Sequence, residues 1–207
     1  MSRTKIHVAF LLDETGSMGA SKDSTISGFN EYIKGLREDP NGKYRFTLVK
    51  FNSDKTEVVH DGVKLRDVQE LTYDNYCSCA TTPLYDAIAR LIHETRPKDK
   101  WSVLFIIMTD GEENASVEWD RKGVFDLIEK KKAADWNFIF LGANQDSYLI
   151  GDSLGISIGN TANYTQGDEA GVLLSVARST MCYASSGGGV VTDFMVSVED
   201  SSEKDKQ

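Results

Sequence analysis

The chain reads as an α/β domain: a doubly wound three-layer sandwich with a mostly parallel central sheet and one antiparallel edge strand. Three observations predict it. Ile6–Leu12 and Trp101–Met108 are apolar runs of strand length without polar alternation, as in strands covered on both faces. Stretches of helical period lie between such runs, the order that builds parallel crossovers. Tyr44–Phe51 and Thr56–His60 flank a short Asn52-Ser53-Asp54 turn and read as a hairpin, which supplies the antiparallel strand.

Each element follows from local pattern. After the first strand, Ile26, Phe29, Ile33 and Leu36 recur at helical spacing, and Pro40-Asn41-Gly42 ends the helix. Residues 61–81 show little periodicity and are expected to be irregular, with Tyr73, Tyr76, Cys77 and Cys79 packed locally. Thr82 is expected to cap the next helix, with Pro83 at its first position and Leu84, Ala87, Ile88, Leu91 and Ile92 on one apolar face. Trp101–Met108 is the most hydrophobic run and reads as a central strand. Val124, Phe125, Leu127, Ile128 and Ala133 mark a helix, and Trp136–Gly142 another strand. A short helix over 146–154, a small edge strand at Ile156–Ile158 and a last helix over 168–183 complete the pattern. The division expected is a domain over 1–184, then a Gly/Ser break and charged tail over 185–207. Ser201–Gln207 is expected to be disordered, while apolar positions before it are free to dock.

Bulk properties narrow the function classes. At 207 residues, with 40% hydrophobic and 27% charged residues, one ordinary globular domain is the default. A net charge of −9 argues against nonspecific nucleic-acid binding, which needs Lys and Arg to neutralise phosphates. Three cysteines, Cys77, Cys79 and Cys182, fit plain thiols in a reducing compartment better than a disulfide framework. No apolar run reaches membrane-spanning length and no secretory leader pattern is present, so a cytoplasmic monomer is expected.

The chemistry gathers at two strand ends and one helix start. Asp13-Glu14-Thr15-Gly16-Ser17 follows the first strand with oxygen-bearing side chains at i, i+2 and i+4 and a glycine for the turn. Such a set suits a hard cation or a phosphate, and a βα turn with a helix cap would use the same residue types. Asp110 emerges in Thr109-Asp110-Gly111-Glu112 after the central strand. If those strands are neighbours, both carboxylates face one crevice at the carboxyl ends of the sheet. Glu14, Glu112 and Glu113 read as solvated rim charges. His7 belongs to a strand and His93 to a polar helix face, while Trp101 and Trp136 read as packing and Trp119 as a loop residue.

Three stretches together resemble the von Willebrand factor type A, or integrin I-type, domains with their metal-ion-dependent adhesion site. Asp13-Glu14-Thr15-Gly16-Ser17 is similar to the family's D-x-S-x-S, with Thr15 in place of the first serine. Thr82-Pro83-Leu84-Tyr85-Asp86-Ala87-Ile88 resembles its threonine loop, and Thr109-Asp110-Gly111-Glu112 its T-D-G-E. Thr82 is preferred to Thr81 because Pro83 follows it. The resemblance covers most of the chain and is to the stand-alone bacterial or phage members. It implies a Rossmann-like fold and a Mg²⁺ or Mn²⁺ site, with Thr15 and Ser17 as direct ligands. Asp13, Thr82 and Asp110 would then act directly or through water. It further implies a protein partner whose Asp or Glu carboxylate completes the shell, and no enzyme activity.

Two other readings stand beside it. Asp13–Ser17 also resembles the D-K-T-G-T motif of haloacid-dehalogenase-like phosphohydrolases and ion pumps, which would make Asp13 a Mg²⁺-assisted nucleophile. Glu14 stands where the pumps have Lys, Thr15 where simple phosphatases have a second Asp, and Thr82-Pro83 has no role there. The third reading is a scaffold with a vestigial metal site.

Overall fold

The computed structural model describes residues 3–143 and 146–195. Six strands form one sheet: β1 (Thr4–Asp13), β2 (Gly42–Phe51), β3 (Thr56–Lys64), β4 (Ser102–Thr109), β5 (Trp136–Ala143) and β6 (Thr161–Tyr164). Five helices connect and close it: α1 (Lys22–Glu38), α2 (Leu84–Glu94), α3 (Arg121–Lys132), α4 (Ser147–Ser153) and α5 (Glu169–Ser185). The strand order is β3-β2-β1-β4-β5-β6, and only the β2–β3 pair is antiparallel. The chain thus leaves β1 toward one edge and later returns to β1's other side. The carboxyl ends of β1 and β4 therefore flank the point where the winding reverses.

Alternation within β1 shows why the sheet needs two helical layers. Ile6, Val8, Phe10 and Leu12 pack with α1 and α5, while Ala9 and Leu11 pack with α2 and α3. Phe10 anchors the first layer, its ring lying 5.8 Å from Phe29 of α1 in an edge-to-face arrangement and 6.2 Å from Phe46 of β2. On the same side α1 and α5 touch backbone to backbone. A Cβ on Gly28 would lie 2.7 Å from Ala170 Cα, so this crossing requires glycine.

The structure departs from the expected elements at three places, and docks the segment after α5. Thr82 lies outside α2, Pro83 stands at the helix boundary and Leu84 opens the helix. Between 61 and 81, β3 continues to Lys64 and a single 3₁₀ turn covers Leu65–Asp67. Tyr76 in this stretch is fully buried, but Tyr73, Cys77 and Cys79 are exposed, so the local cluster expected there does not form. Ile158 begins a 3₁₀ turn, and the edge strand is the following Thr161–Tyr164, where the backbone meets β5 from Phe140 to Ala143. After α5 the chain folds back: Val191 N donates to Asn137 Oδ1 at 2.8 Å, Phe194 N to Asn160 Oδ1 at 3.0 Å, and the Phe194 ring is buried. Ser201–Gln207 lies outside the described residues.

His7 is a buried titratable group remote from the strand ends. Thr47 Oγ1 accepts from Gly62 N at 2.9 Å and lies 2.8 Å from His7 Nε2. Burial lowers the His7 pKa to about 4; Asp61 opposes the shift and Arg45 adds to it. Below pH 6.5 the unfolded chain binds this proton before the folded chain does, so stability should fall with pH until about pH 4, by about 3 kcal/mol at most. Urea denaturation at pH 7 and pH 4.5 should show a smaller pH difference for His7→Gln than for the wild type.

Candidate functional site

The site begins with the end of β1. Parallel pairing of β1 with β4 sets Leu12 opposite Met108, so Asp13 and Thr109 leave the sheet side by side. Asp13 is fully buried and both its oxygens are engaged: Thr15 N donates to Oδ1 at 2.7 Å and Thr109 Oγ1 to Oδ2 at 2.5 Å. Tyr76 donates its hydroxyl to Asp13 O at 2.7 Å. Burial pushes the Asp13 carboxyl up to about 6; the bonds from Thr109 and Thr15 oppose the shift and the nearby Asp110 charge adds to it. Folding therefore disfavours the ionised form, and this contribution to stability is lost as pH rises from about 4 through 6.

The five sequence-selected residues converge. Ser17 Oγ donates to Asp110 Oδ1 at 2.6 Å and lies 3.1 Å from Thr15 Oγ1. Thr82 is reached across Gly111: a Cβ there would lie 2.9 Å from Thr82 Oγ1 and 3.4 Å from Ser17 Oγ. The absence of that methyl leaves a small space walled by two hydroxyls. Thr15, Thr82 and Asp110 are buried, whereas Gly16 and Ser17 are exposed, so the cluster opens outward at Ser17. Thr81, one residue away, is exposed and turned to the β2–β3 connection, where its carbonyl accepts from Ser53 N at 2.9 Å.

Capping of α2 does not draw on Thr82. Tyr85 N donates to Glu113 Oε2 at 2.9 Å and to Ser116 Oγ at 3.1 Å, and Thr82 N donates to Asn114 Oδ1 at 2.9 Å. Glu113 is thus a partly buried helix cap and not a solvated rim charge; Glu112 is exposed, as expected.

Glu14 is also no rim charge. It is buried, and its Oε1 accepts from Lys50 Nζ at 3.1 Å and from Cys77 N at 2.6 Å. Lys50, also buried, further reaches Glu57 Oε2 at 3.4 Å and the Asn75 carbonyl. Around this pair the 75–82 loop is stitched to the first motif: Cys79 N donates to Glu14 O and Gly16 N to Ala80 O, both at 3.1 Å. Ala80 sits in the left-handed region at φ 64°, a cost the surrounding bonds hold in place. Sequence reasoning missed Lys50 because a lysine in a strand reads as outward-facing.

Gln166, in the loop between β6 and α5, was also missed, and no motif marks it. Its Nε2 donates to Asp110 Oδ2 and to Ser17 O, each at 2.9 Å. Burial raises the Asp110 carboxyl above its ordinary value, opposed by the bonds from Ser17 and Gln166, with the Glu169 charge adding to the rise.

The donor set is two carboxylates and three hydroxyls, and among the described residues no cluster of three or more His, Cys, Asp or Glu is placed to hold a metal. All-oxygen donors suit a hard ion such as Mg²⁺. Cis oxygens around an octahedral Mg²⁺ lie about 3 Å apart, given metal–oxygen distances of about 2.1 Å. The Ser17–Asp110 and Thr15–Ser17 separations of 2.6 and 3.1 Å fall on either side of that spacing. The residues present therefore fit such an ion.

A sheet wound from a central β1, with oxygen donors at its carboxyl crest, defines a Rossmann-like α/β domain. More narrowly, the fold is that of the von Willebrand factor type A domain. The vWF domain of the type V pili tip protein Mfa5 from Porphyromonas gingivalis matches with a TM-score of 0.66 and 10% identity, over 89% of this chain and 97% of that one. A von Willebrand factor type A structure from Catenulispora acidiphila matches at 0.55 and 15%, over 89% of this chain and 43% of the other. Manganese-loaded TRAP protein from Plasmodium vivax matches at 0.55 and 17%, over 83% and 72%. Identities this low make the likeness one of fold, and the chain spans less than half of the Catenulispora structure. No family model and no curated protein matches the sequence.

The Glu14–Lys50 pair yields a stability prediction. Lys50→Met leaves a buried carboxylate without its cation and should cost about 3–5 kcal/mol in urea denaturation, much of it recovered in the Lys50→Met/Glu14→Gln double variant.

Proposed function

We propose that the chain is a divalent-metal-dependent protein-binding module. Thr15 and Ser17 would hold Mg²⁺ or Mn²⁺ directly, Thr82 and Asp110 directly or through water, and the buried Asp13 through water, and an Asp or Glu carboxylate of a partner protein would complete the shell. The single observation that carries this reading is the Ser17–Asp110–Thr15 oxygen cluster, its oxygens 2.6 and 3.1 Å apart and open to solvent on the Ser17 side. When bound, the ion supplies an electrophilic centre for an incoming carboxylate. Ser17 and Thr15 present hydroxyl oxygens, which leave the ion's charge largely uncancelled. Asp13 keeps the turn in register by accepting from Thr15 N, and Thr109 holds the far side of the same carboxylate. The manganese carried by the TRAP structure, which shares this fold, supports the choice of ion. A cytoplasmic setting remains part of the proposal; three unpaired, exposed cysteines suit a reducing compartment.

The phosphohydrolase reading is disfavoured by the same geometry. A nucleophilic Asp13 would need an exposed oxygen, yet this residue is fully buried with both oxygens accepting hydrogen bonds.

Adding MgCl₂ or MnCl₂ should raise the melting temperature of the wild type and leave Asp110→Ala unmoved. Asp13→Asn should abolish the rise while matching or exceeding the wild type's melting temperature in EDTA at pH 7, because the buried charge is gone. A wild type without any ion-dependent shift would overturn the proposal, as would turnover of p-nitrophenyl phosphate that Asp13→Asn removes.

A further inference from the structure

We propose that Gln166 is the specificity-determining residue of this site, fixing one Asp110 oxygen so that only the other, beside Ser17, faces the site, and so selecting small octahedral cations over calcium. This rests on the metal-site reading above. Gln166 comes from the loop between β6 and α5, outside all three motif stretches, and its amide ties two of them together. Its Nε2 carries two hydrogens, and both are used: one on Asp110 Oδ2, one on the Ser17 carbonyl, each at 2.9 Å. Asp110 Oδ1 is the oxygen left beside Ser17 Oγ, at 2.6 Å.

The other carboxylate of the site is held in the same way. Asp13 Oδ1 accepts from Thr15 N and Oδ2 from Thr109 Oγ1. Neither acid is free to turn both oxygens toward one ion. Calcium takes six to eight oxygens and favours bidentate carboxylates, whereas magnesium takes six at shorter distance in near-ideal octahedral geometry. A site in which Asp110 turns a single oxygen inward and Asp13 has both oxygens engaged by its neighbours penalises calcium. The identity of the clamp also matters: a lysine or arginine there would hold Asp110 equally well and cancel its charge, while a neutral amide orients the carboxylate and leaves the charge to attract a cation.

The loop that delivers Gln166 is itself anchored. Gly167 adopts φ +99°, its N–H meets both carboxylate oxygens of the fully buried Glu169, and Ala170 N donates to Ser24 Oγ of α1 at 3.0 Å. The clamp is therefore set by backbone geometry that a change at the partly buried Gln166 side chain leaves in place.

Calorimetric titration of the wild type, Gln166→Ala and Gln166→Lys with MgCl₂, MnCl₂ and CaCl₂ tests the inference. Gln166→Ala frees Asp110 Oδ2, so its calcium-to-magnesium affinity ratio should rise roughly tenfold, the scale on which groups behind metal ligands act. Gln166→Lys should lose affinity for all three ions. A merely structural role would weaken every ion alike in Gln166→Ala, and an unchanged ratio in a variant with wild-type melting temperature in EDTA would overturn the inference. If the wild type binds none of the three ions, the metal-site reading fails first, and the two failures are distinguished in one experiment.

Discussion

The hydrogen bond from Thr109 Oγ1 to Asp13 Oδ2, at 2.5 Å, is the interaction on which the candidate site depends. It exists because β1 and β4 are parallel neighbours in register, although 96 positions separate the two residues. A buried carboxylate without such donors would cost several kcal/mol or be protonated. With them, Asp13 becomes a fixed post: one oxygen is held by the adjacent strand, and the other turns the chain at Thr15 so that the Thr15 hydroxyl meets Ser17 and the Ser17 hydroxyl meets Asp110. Burial still pushes the Asp13 carboxyl up to about 6, so the post retains an electrostatic strain that a nearby cation would relieve.

Around this post the fold adds supports of different kinds. Aromatic packing of Phe10 with Phe29 and Phe46 fixes the sheet against α1. The buried Glu14–Lys50 pair binds the 75–82 loop to the first motif, bringing Thr82 near Ser17. Glu113, Asn114 and Ser116 meet the backbone around the start of α2, so Thr82 stands at the loop end with its side chain toward Gly111. Gln166 then joins the first and third motif stretches from outside. One of these supports, the Glu14–Lys50 pair, runs against ordinary surface chemistry. A buried lysine and a buried glutamate are costly, and their value here lies in fixing a loop whose own backbone is strained at Ala80.

Much of the architecture was legible in the chain because apolar period is a local property. The runs of β1 and β4, the face of α2 and the β2–β3 hairpin follow from residues within a few positions of each other. The errors fall where local signals compete. Ile156–Ile158 has strand-like residues, but pairing with β5 begins only at Thr161. Thr82-Pro83 has the composition of a cap followed by a first helical residue, but the caps come from a loop some thirty residues downstream.

The amino-acid sequence alone determined the fold class, the positions of the two strand-end carboxylates, and the hydroxyl types beside them, because each depends on period, turn chemistry and residue identity within a short window. Only the tertiary structure decided that Asp13 is sealed behind two hydrogen bonds, that Glu14 is paired with Lys50 inside the protein, and that Gln166 clamps Asp110. Those outcomes depend on which strands become neighbours and which loops cross the sheet's crest. Such long-range pairings leave no periodic trace in the residues that make them.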